Sequence, residues 1–450
     1  MFYQYNPFGN VWGHMSWGHA VSTDLVHWKH LPIAIPEENG IMIFSGSAVV
    51  DENNTSGFAE KPGQVPMVAV YTGHYIPDTS KPDNYMQAQN IAYSLDNGRT
   101  WKKYKGNPVL DLHKKDFRDP KVFWYAPQKK WIMAVVLPQE HIVQFYSSPD
   151  LKKWTHLSDF GPAGDTNDIW ECPDLLQVPV AGLPGMFKWV LLNSQQTTMQ
   201  YFVGEFDGTK FINENSTGKI FRPDYGPDYY AAVTYNHLPA NHPPVLLGWA
   251  NNWKYANDIP TFPWKSMMSL PREIKLDKIN NEWILLQQPV AALKHLRTNH
   301  LDFKKLIVAG KKSLPIKSQQ LEMEVIFQPS PNITSGIHLA VGKQPAFVIG
   351  YDAAQQKLFI DRSGAVNNSF NKNFEALSRY ETSLAPDKGK IKLHIYFDKS
   401  IVEVFANNGT TIMTAQVFPG ENDYGVELFS DNGKTLFESV KFWKLNSAWR

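Results

Sequence analysis

Two short segments place acidic side chains in apolar surroundings. Residues 117–120 (FRDP) set the guanidinium of Arg118 beside the carboxylate of Asp119, and residues 170–173 (WECP) set Glu171 between Trp170 and Cys172. An apolar setting favours the protonated carboxyl group that a general acid requires. Two carboxylates on separate strands that face one cavity suit glycoside hydrolysis. The alternative is a structural ion pair of Arg118 with Asp119, with Glu171 at a solvated strand end.

A second cluster of polar and aromatic side chains lies near the N-terminus. Sugar sites combine aromatic faces with fixed hydrogen-bond partners, and such groups crowd residues 4–19, followed by residues 44–47 (FSGS). The cluster comprises Gln4, Asn6, Trp12, His14, Trp17 and His19. The alternative is that the two tryptophans pack between neighbouring sheets. Because the two histidines have no acidic or cysteine partner at ligand spacing, we expect no metal site here.

The composition excludes several classes of protein. The 44 basic and 43 acidic residues give a net charge of +1, which argues against nucleic acid or an anionic membrane as a partner. The single cysteine, Cys172, forbids an intrachain disulfide and any multi-thiolate zinc site. No run of about 18 apolar residues occurs, so we expect no membrane insertion. The glycine-rich loops that bind phosphates are also absent from the sequence.

The elements that must position these residues are strands. Short apolar and aromatic runs alternate with turn clusters, which predicts an all-β chain. A weak repeat is superimposed on them, a polar turn closed by an aromatic residue at Trp28, Trp101, Trp154, Phe211 and Trp283. Five such turns predict a five-bladed β-propeller. The first turn comes too early in the chain for a whole blade, so we expect the first blade to lack one or two strands.

The pattern changes after the fifth turn. Residues 287–296 read as a short helix that begins near a proline, and residues 320–327, 393–397 and 401–405 alternate as strands of a β-sandwich. A hairpin turn is predicted at residues 407–409 (NNG). We therefore predict a propeller over residues 1–295, a linker over residues 296–310 and a β-sandwich over residues 311–450.

The motifs resemble those of glycoside hydrolase family 32 and follow the same order. They are residues 2–7 (FYQYNP), 17–22 (WGHAVS), 44–47 (FSGS), 117–120 (FRDP), 170–173 (WECP) and 398–405 (DKSIVEVF). The resemblance covers essentially the whole chain and implies a five-bladed propeller followed by a β-sandwich. Residues 10–19 (NVWGHMSWGH) look more like microbial exo-acting levanase or inulinase than plant invertase.

The resemblance also implies roles for individual residues. Glu171 matches the general acid/base of the family, and Asp119 matches the carboxylate that holds fructose hydroxyls and stabilises the transition state. Cys172 would tune Glu171 as its neighbour. The positions that match the substrate pocket are Gln4, Trp12, Trp17, Phe44, Ser45 and Arg118, with Asp228 and Trp249 as weaker matches. The implied substrate is a β-fructan or sucrose, with no cofactor and no metal.

One element of the family pattern is not in the sequence. The nucleophile of the family is the Asp of a Trp-Met-Asn-Asp-Pro-Asn-Gly motif just before the segment that matches residues 2–7, and this chain begins at that segment. We therefore expect an N-terminally truncated enzyme, inactive or nearly so, that is secreted or periplasmic in full length. The 450 residues themselves contain no signal peptide. The alternatives are a natural inactive relative, a fructan-binding protein without catalysis, and a sialidase-type propeller.

The truncation hypothesis predicts the DNA that precedes the Met1 codon. We expect an in-frame Asn-Asp-Pro-Asn-Gly there, because the other motifs of the pocket are intact. Genomic sequencing of that region is the test. A stop codon or an unrelated sequence at that place contradicts the hypothesis.

Overall fold

The computed structural model describes residues 1–77, 80–239 and 242–449 and is built almost wholly of β-strands. Its N-terminal part is a five-bladed β-propeller of antiparallel sheets, as the turn repeat predicted. The first two sheets contain strands β1 (Phe2–Tyr5), β2 (Ser16–Val21) and β3 (Lys29–Ile35), then β4 (Ile41–Val50), β5 (Met67–Tyr75), β6 (Met86–Ser94), β7 (Lys102–Lys103) and β8 (Leu110–Lys114).

The other three sheets of the propeller have four strands each. The third contains β9 (Arg118–Tyr125), β10 (Lys130–Leu137), β11 (Ile142–Ser148) and β12 (Thr155–Phe160). The fourth contains β13 (Trp170–Pro179), β14 (Phe187–Gln195), β15 (Thr198–Phe206) and β16 (Phe211–Asn213). The fifth contains β17 (Tyr230–Thr234), β18 (Val245–Trp249), β19 (Arg272–Ile279) and β20 (Glu282–Pro289).

The repeated turn has the same geometry in three sheets. In the turn of the second sheet the carboxylate of Asp96 accepts the backbone N–H groups of Arg99 and Thr100, and the indole N–H of Trp101 donates to the carbonyl of Gly98 at 3.0 Å. Asp24 with Trp28 and Asp150 with Trp154 repeat this arrangement. Each turn thus satisfies its own polar groups, which leaves the indole ring to pack.

The position of this turn shows how the first sheet differs from the others. In the third sheet the turn joins β11 to β12, the last two of four strands, whereas in the first sheet it joins β2 to β3. Only one strand, β1, precedes them in that sheet. Within the described residues β1 hydrogen-bonds to β2 alone. Its other edge faces the centre of the propeller.

Apolar side chains between adjacent sheets form the core of the propeller. Separate clusters join the first sheet to the second, the second to the third, the third to the fourth and the fourth to the fifth. The fifth sheet meets the first in a cluster that contains Val26 and Val245 of the propeller together with Leu293 and with Phe405 of the C-terminal domain. The C-terminal domain therefore helps to close the ring.

The C-terminal domain is a β-sandwich of ten strands. They are β21 (Arg297–Lys317), β22 (Gln320–Gln328), β23 (Thr334–Val341), β24 (Pro345–Asp352), β25 (Lys357–Asp361), β26 (Arg379–Ser383), β27 (Ile391–Asp398), β28 (Ile401–Ala406), β29 (Thr411–Gln416) and β30 (Gly425–Leu445). The first part of β30 pairs with β23 and its second part with β22, so this strand passes from one layer to the other. One core lies between the two layers.

The helices are few and short. The only α-helix of the described residues is α1 (Lys372–Ala376), and 3₁₀ helices span Ala126–Gln128, Ala291–Leu296 and Asn407–Gly409. The helix predicted over residues 287–296 is confined to its second half, because β20 continues to Pro289. Residues 407–409 join β28 to β29 as the predicted hairpin turn. No described helix has the length and apolarity that crossing a membrane requires.

The predicted linker over residues 296–310 is wrong. Strand β21 begins at Arg297, directly after the 3₁₀ helix, and pairs with β30 along its whole length. Most of its side chains are exposed or half-buried, so the strand lacks the alternation of apolar residues by which a strand is recognised in a sequence. The β-sandwich therefore starts at residue 297.

Two buried ion-pair networks join the propeller to the β-sandwich. In the first, Arg272 donates to Asp224 at 3.0 Å and to Glu403 of the sandwich at 2.6 Å. In the second, Arg362 of the sandwich donates to Asp228 at 2.7 Å and to the hydroxyl of Tyr255 at 3.0 Å. A buried charge is tolerated only when it is paired in this way, so each domain depends on the other for neutralisation.

Replacing the sandwich arginine tests this dependence. We expect Arg362→Met to lower the free energy of unfolding by on the order of 3–5 kcal/mol, because it leaves the carboxylate of Asp228 buried without a countercharge. Lys357→Met is the control, since it breaks a partly exposed pair with Glu381 that is worth below about 1 kcal/mol. Thermal and urea unfolding measure both. Equal transition midpoints for the two variants would contradict a dependence between the domains.

Candidate active site

A cavity of about 2600 Å³ opens at the centre of the propeller, and we call it the funnel. The inner strands of the sheets supply its walls, and it continues past the free edge of β1 to the C-terminal residues Leu445 and Trp449. Arg118, Asp119 and Glu171 all line it. The structure thus brings together the two segments that the sequence singled out.

An irregularity near the start of three inner strands turns their side chains toward the funnel. Strands β9, β13 and β17 each shift register against their neighbour at this point, and each carries there a residue with positive φ. These residues are Asp119 (φ 64°), Cys172 (φ 48°) and Ala231 (φ 51°). In a regular strand consecutive side chains point to opposite faces. A bulge breaks this rule, so Arg118 and Asp119 can both line one cavity.

Arg118 connects carboxylates of two sheets. Its Nε donates to Oε1 of Glu171 at 3.1 Å, and its Nη1 donates to Oδ1 of Asp116 at 2.8 Å and to the side-chain oxygen of Gln87 at 3.2 Å. Burial opposes the charge on Arg118, but the carboxylates of Glu171, Asp119 and Asp116 outweigh it and raise the pKa of Arg118. The alternative of an Arg118–Asp119 ion pair is therefore corrected, since the salt bridges go to Asp116 and Glu171.

Asp119 is held by the strand that carries Glu171. The backbone N–H of Cys172 donates to Oδ2 of Asp119 at 2.9 Å, and the thiol lies 3.5 Å from the same oxygen. Burial, followed by repulsion from Glu171, raises the pKa of Asp119. Burial also raises the pKa of the Cys172 thiol, with Asp119 and Glu171 adding to it. In this structure the thiol thus contacts Asp119, whereas the sequence led us to expect an effect on Glu171.

Both carboxylate oxygens of Glu171 accept hydrogen bonds. Arg118 donates to Oε1, and the hydroxyl of Tyr230 donates to Oε2. Burial raises the pKa of Tyr230 well above its ordinary value, and the charge of Glu171 adds to this, so Tyr230 stays a donor. The ring of Tyr230 meets that of Trp249 edge to face at 6.2 Å. Glu171 is therefore fixed between a cation and a phenol at the wall of the funnel.

The predicted pocket residues of the first two sheets also line the funnel. They are Gln4, Trp12, Trp17, Phe44 and Ser45. Trp17 is buried in the cluster between these sheets and donates its indole N–H to the carbonyl of Phe44 at 3.0 Å. It therefore belongs to the core between the sheets as well as to the wall of the funnel. Trp12 is 50% exposed, which leaves much of its ring accessible. Their contact with a substrate stays a prediction.

The prediction that Asp228 lines the funnel is wrong. Asp228 is fully buried in the interface between the domains, where it accepts hydrogen bonds from Arg362, from the hydroxyl of Tyr255 and from the backbone of Gln416. The physical reason is that Asp228 lies in the bend before β17, where the alternation of side chains along a strand does not apply. Tyr230, two positions later, is the one that reaches the funnel.

Several residues at the funnel were missed by the sequence reasoning. Asp116 and Gln87 bind Arg118 directly. His74 stacks on Phe44 with ring centroids 4.4 Å apart, and the hydroxyl of Tyr85 donates to Asp116 at 3.0 Å. The only sequence signal was the position of Asp116 two residues before Arg118. The others lie on strands whose neighbours in space are not neighbours in the chain.

The four arginines of the propeller do not form the triad that a sialidase-type site needs. Arg118 alone of them lines the funnel. Arg99 lies in the turn before β7, Arg222 pairs with Asp165 at 2.7 Å, and Arg272 is buried in the domain interface. The structure therefore gives no support to the sialidase alternative.

One group of possible metal ligands occurs in the described part of the chain, and it lies outside the funnel. Glu322, Glu324 and His394 come together in the β-sandwich. The carboxylate of Glu322 already binds the guanidinium of Arg297, His394 and the hydroxyl of Tyr396. Since a cation already occupies this position, we do not interpret the group as a metal site.

Family models match nearly the whole chain. Residues 1–289 match the one described as Glycosyl hydrolases family 32 N-terminal domain, and residues 292–444 match Glycosyl hydrolases family 32 C terminal. The levanase of Bacillus subtilis (strain 168) is 44% identical over 100% of this chain and 67% of its own length. The extracellular exo-inulinase of Aspergillus awamori is 36% identical over 100% of this chain and 90% of its own length.

Solved structures resemble the fold closely. The crystal structure of exo-inulinase from Aspergillus awamori matches with a TM-score of 0.92 at 37% identity, covering 100% of this chain and 93% of that one. The β-fructofuranosidase from Schwanniomyces occidentalis, complexed with fructosyl-erythritol, matches with a TM-score of 0.87 at 34% identity, covering 99% and 92%. The propeller, the β-sandwich and their order along the chain are therefore shared with these proteins.

The raised pKa of Asp119 predicts how stability changes with pH. Its carboxyl group favours folding below the pKa of the unfolded chain, about 3.9, and this contribution is lost as the pH rises through the higher folded pKa. Asp119→Asn removes that loss, and Asn tolerates positive φ. We expect the melting temperature of the variant, relative to the parent chain, to rise by a few degrees between about pH 4 and pH 7.

Asp96→Asn is the control with the opposite sign. Burial is the largest single influence and opposes ionisation of Asp96, but the hydrogen bonds from Thr100, Ser94 and Arg99 together outweigh it and lower the pKa of Asp96. The ionised Asp96 stabilises the folded chain above the unfolded pKa, and this stabilisation is lost as the pH falls. Asp96→Asn lacks it, so the melting temperature of this variant should decrease relative to the parent chain as the pH rises. Calorimetry across the pH range measures both variants. Parallel curves for Asp119→Asn and the parent chain would show that this carboxyl group is not perturbed.

Proposed function

The chain belongs to glycoside hydrolase family 32, and we propose that its funnel binds the terminal fructose of a β-fructan or of sucrose. In the complete site the β-fructosidic bond is hydrolysed with retention, through a covalent fructosyl-enzyme. The observation that carries the proposal is the placement of Glu171, which lies between Arg118 and Tyr230 and beside the buried Asp119. No cofactor and no metal take part.

Glu171 is the proton donor and acceptor of this proposal. It protonates the leaving oxygen as the bond to the anomeric carbon breaks, and it then deprotonates the water that hydrolyses the intermediate. Arg118 and Tyr230 fix the carboxyl group in position through one hydrogen bond to each oxygen. A proton donor held in this way spends no energy on orientation at the moment of reaction.

Asp119 stabilises the transition state in this proposal. Its ionised form is disfavoured in the empty funnel because it is buried and lies near Glu171. Positive charge develops on the sugar ring as the bond breaks, and an adjacent carboxylate supplies the countercharge. The interaction is stronger in the transition state than with the neutral substrate, which is the condition for a rate increase.

The nucleophile is the part of the proposal that the 450 residues do not supply. Asp116 is bound to Arg118 and Tyr85, and Asp119 is bound to the backbone and thiol of Cys172. The sequence contains no Asn-Asp-Pro-Asn-Gly. We therefore propose that these 450 residues by themselves hydrolyse fructans very slowly.

We also infer that the protein is exported. The supporting observation is that the relatives from Aspergillus carry names that describe an extracellular exo-inulinase. Detection of the native protein in culture medium or in the periplasmic fraction tests the inference. Retention in the cytoplasm contradicts it.

Adding a nucleophile tests the central proposal. We expect a chain extended before Met1 by a segment that contains Asn-Asp-Pro-Asn-Gly to release fructose several orders of magnitude faster than the 450 residues alone, because the covalent step has no substitute. Release of fructose from sucrose, inulin and levan is measured side by side. The control replaces the added Asp by Ala. Ordinary hydrolysis by the 450 residues alone contradicts the proposal.

Replacing the proton donor in the extended chain is the second test. Glu171→Gln should reduce kcat by about 10²–10⁴-fold, since it removes the transferable proton while it keeps the shape of the side chain. Glu205→Gln, an exposed change on the same sheet, should leave kcat unaltered. An equal effect of the two variants on kcat would contradict the role of Glu171 as proton donor.

Fructan binding without catalysis is the second candidate. It is favoured by the aromatic walls of the funnel, which are in place although the sequence contains no Asn-Asp-Pro-Asn-Gly. Tight binding of fructan with no release of fructose, even by the extended chain, would establish it instead.

A further inference from the structure

A line of three aromatic rings leads from Glu171 to the rim of the funnel. Tyr230 donates to Glu171, its ring lies 6.2 Å from that of Trp249, and Trp249 lies 4.8 Å from Trp253. All three aromatic residues line the funnel. The line starts at the group that protonates the leaving oxygen in the proposed function. It therefore runs along the side on which the rest of a fructan chain leaves the site.

Trp253, the outermost ring of the line, is exposed although its surroundings are rigid. Its side chain is 42% accessible, whereas Asn251, Asn252 and Tyr255 on either side of it are buried. Asn251 donates to Ser266 at 2.9 Å, and Asn252 donates to the carbonyl of Pro227 at 2.8 Å. A large aromatic ring left open to water on a fixed loop is typical of a binding platform rather than of a core.

The β-sandwich contributes to holding this loop. The hydroxyl of Tyr255 donates to Asp228 at 2.6 Å and accepts from Arg362 of the sandwich at 3.0 Å. Asn371 of the sandwich donates to Asp258 at 2.6 Å, and Asn373 donates to the carbonyl of Lys254 at 3.2 Å. The residues that directly follow Trp253 are thus tied to the second domain. A ring in a fixed orientation loses little entropy when a ligand stacks on it.

We propose that Trp253 is a stacking platform for a sugar unit of the fructan chain beyond the bond that is cleaved. It would favour oligomers and polymers of fructose over a disaccharide, because only a longer chain reaches the outer ring. This inference rests on the proposed function, since it takes Glu171 as the group at the cleaved bond. Tyr255 is a positioning residue of the platform and does not contact the ligand.

Binding of ligands of increasing length tests the platform. The probes are sucrose, its trisaccharide with one further fructose (1-kestose) and its tetrasaccharide with two (nystose), titrated by calorimetry into the 450-residue chain with Glu171→Gln, which prevents turnover. We expect Trp253→Ala to weaken binding of the longest probe by about tenfold. The affinity for sucrose should stay within about twofold of the parent chain, since a disaccharide does not reach the outer ring.

The matched control is Phe262→Ala on the same loop. Phe262 is more exposed than Trp253, at 87%, but does not line the funnel, so its removal should leave all three affinities unchanged. Circular dichroism and melting temperatures verify that the variants fold. The stacking role of Trp253 is contradicted if Trp253→Ala loses equal affinity for sucrose and for the tetrasaccharide, if it loses none for either, or if Phe262→Ala shows the same loss. These outcomes leave the proposed function unaffected. If the parent chain binds none of the probes, the proposed function fails as well.

Discussion

The buried guanidinium of Arg118 holds carboxylates of two blades together. Glu171 and Asp116 bind it directly, and Asp119 lies close enough to contribute to its raised pKa. Carboxylates at such a spacing repel one another when they are buried, and a fixed cation among them makes the arrangement tolerable. The compensation is incomplete at Asp119, whose pKa is raised. A site in this condition favours a ligand that brings positive charge, which is what an oxocarbenium-like transition state does.

Part of this arrangement could be predicted from the sequence, and part could not. The Asp–aromatic turns depend on local chemistry, a carboxylate that accepts backbone N–H groups a few residues on, and they were visible at Asp96 and Trp101. The direction of a side chain near a bulge is not local. Positive φ at Asp119 and Cys172 depends on the neighbouring strands, so the partners of Arg118 could not be derived from its position beside Asp119.

The match of Asp228 to the substrate pocket of the family was the least informative signal. Asp228 and Tyr230 are two residues apart, but one neutralises an arginine of the β-sandwich and the other binds Glu171. Strand β21 was not predicted from the sequence for a different reason. It pairs on one edge with β30 while most of its side chains stay in water, so hydrogen bonds rather than apolar side chains define it. Information of this kind lies in the tertiary contacts and not in the composition of a segment.

The ion pairs between the two domains also bear on how such proteins can evolve. Asp228 in the propeller is neutralised by Arg362 in the β-sandwich, and Glu403 in the sandwich by Arg272 in the propeller. A recombination event that joined this propeller to a sandwich without the matching residues would leave a carboxylate or a guanidinium buried without a countercharge. A change of charge on one side of the interface therefore destabilises the protein unless the other side changes with it.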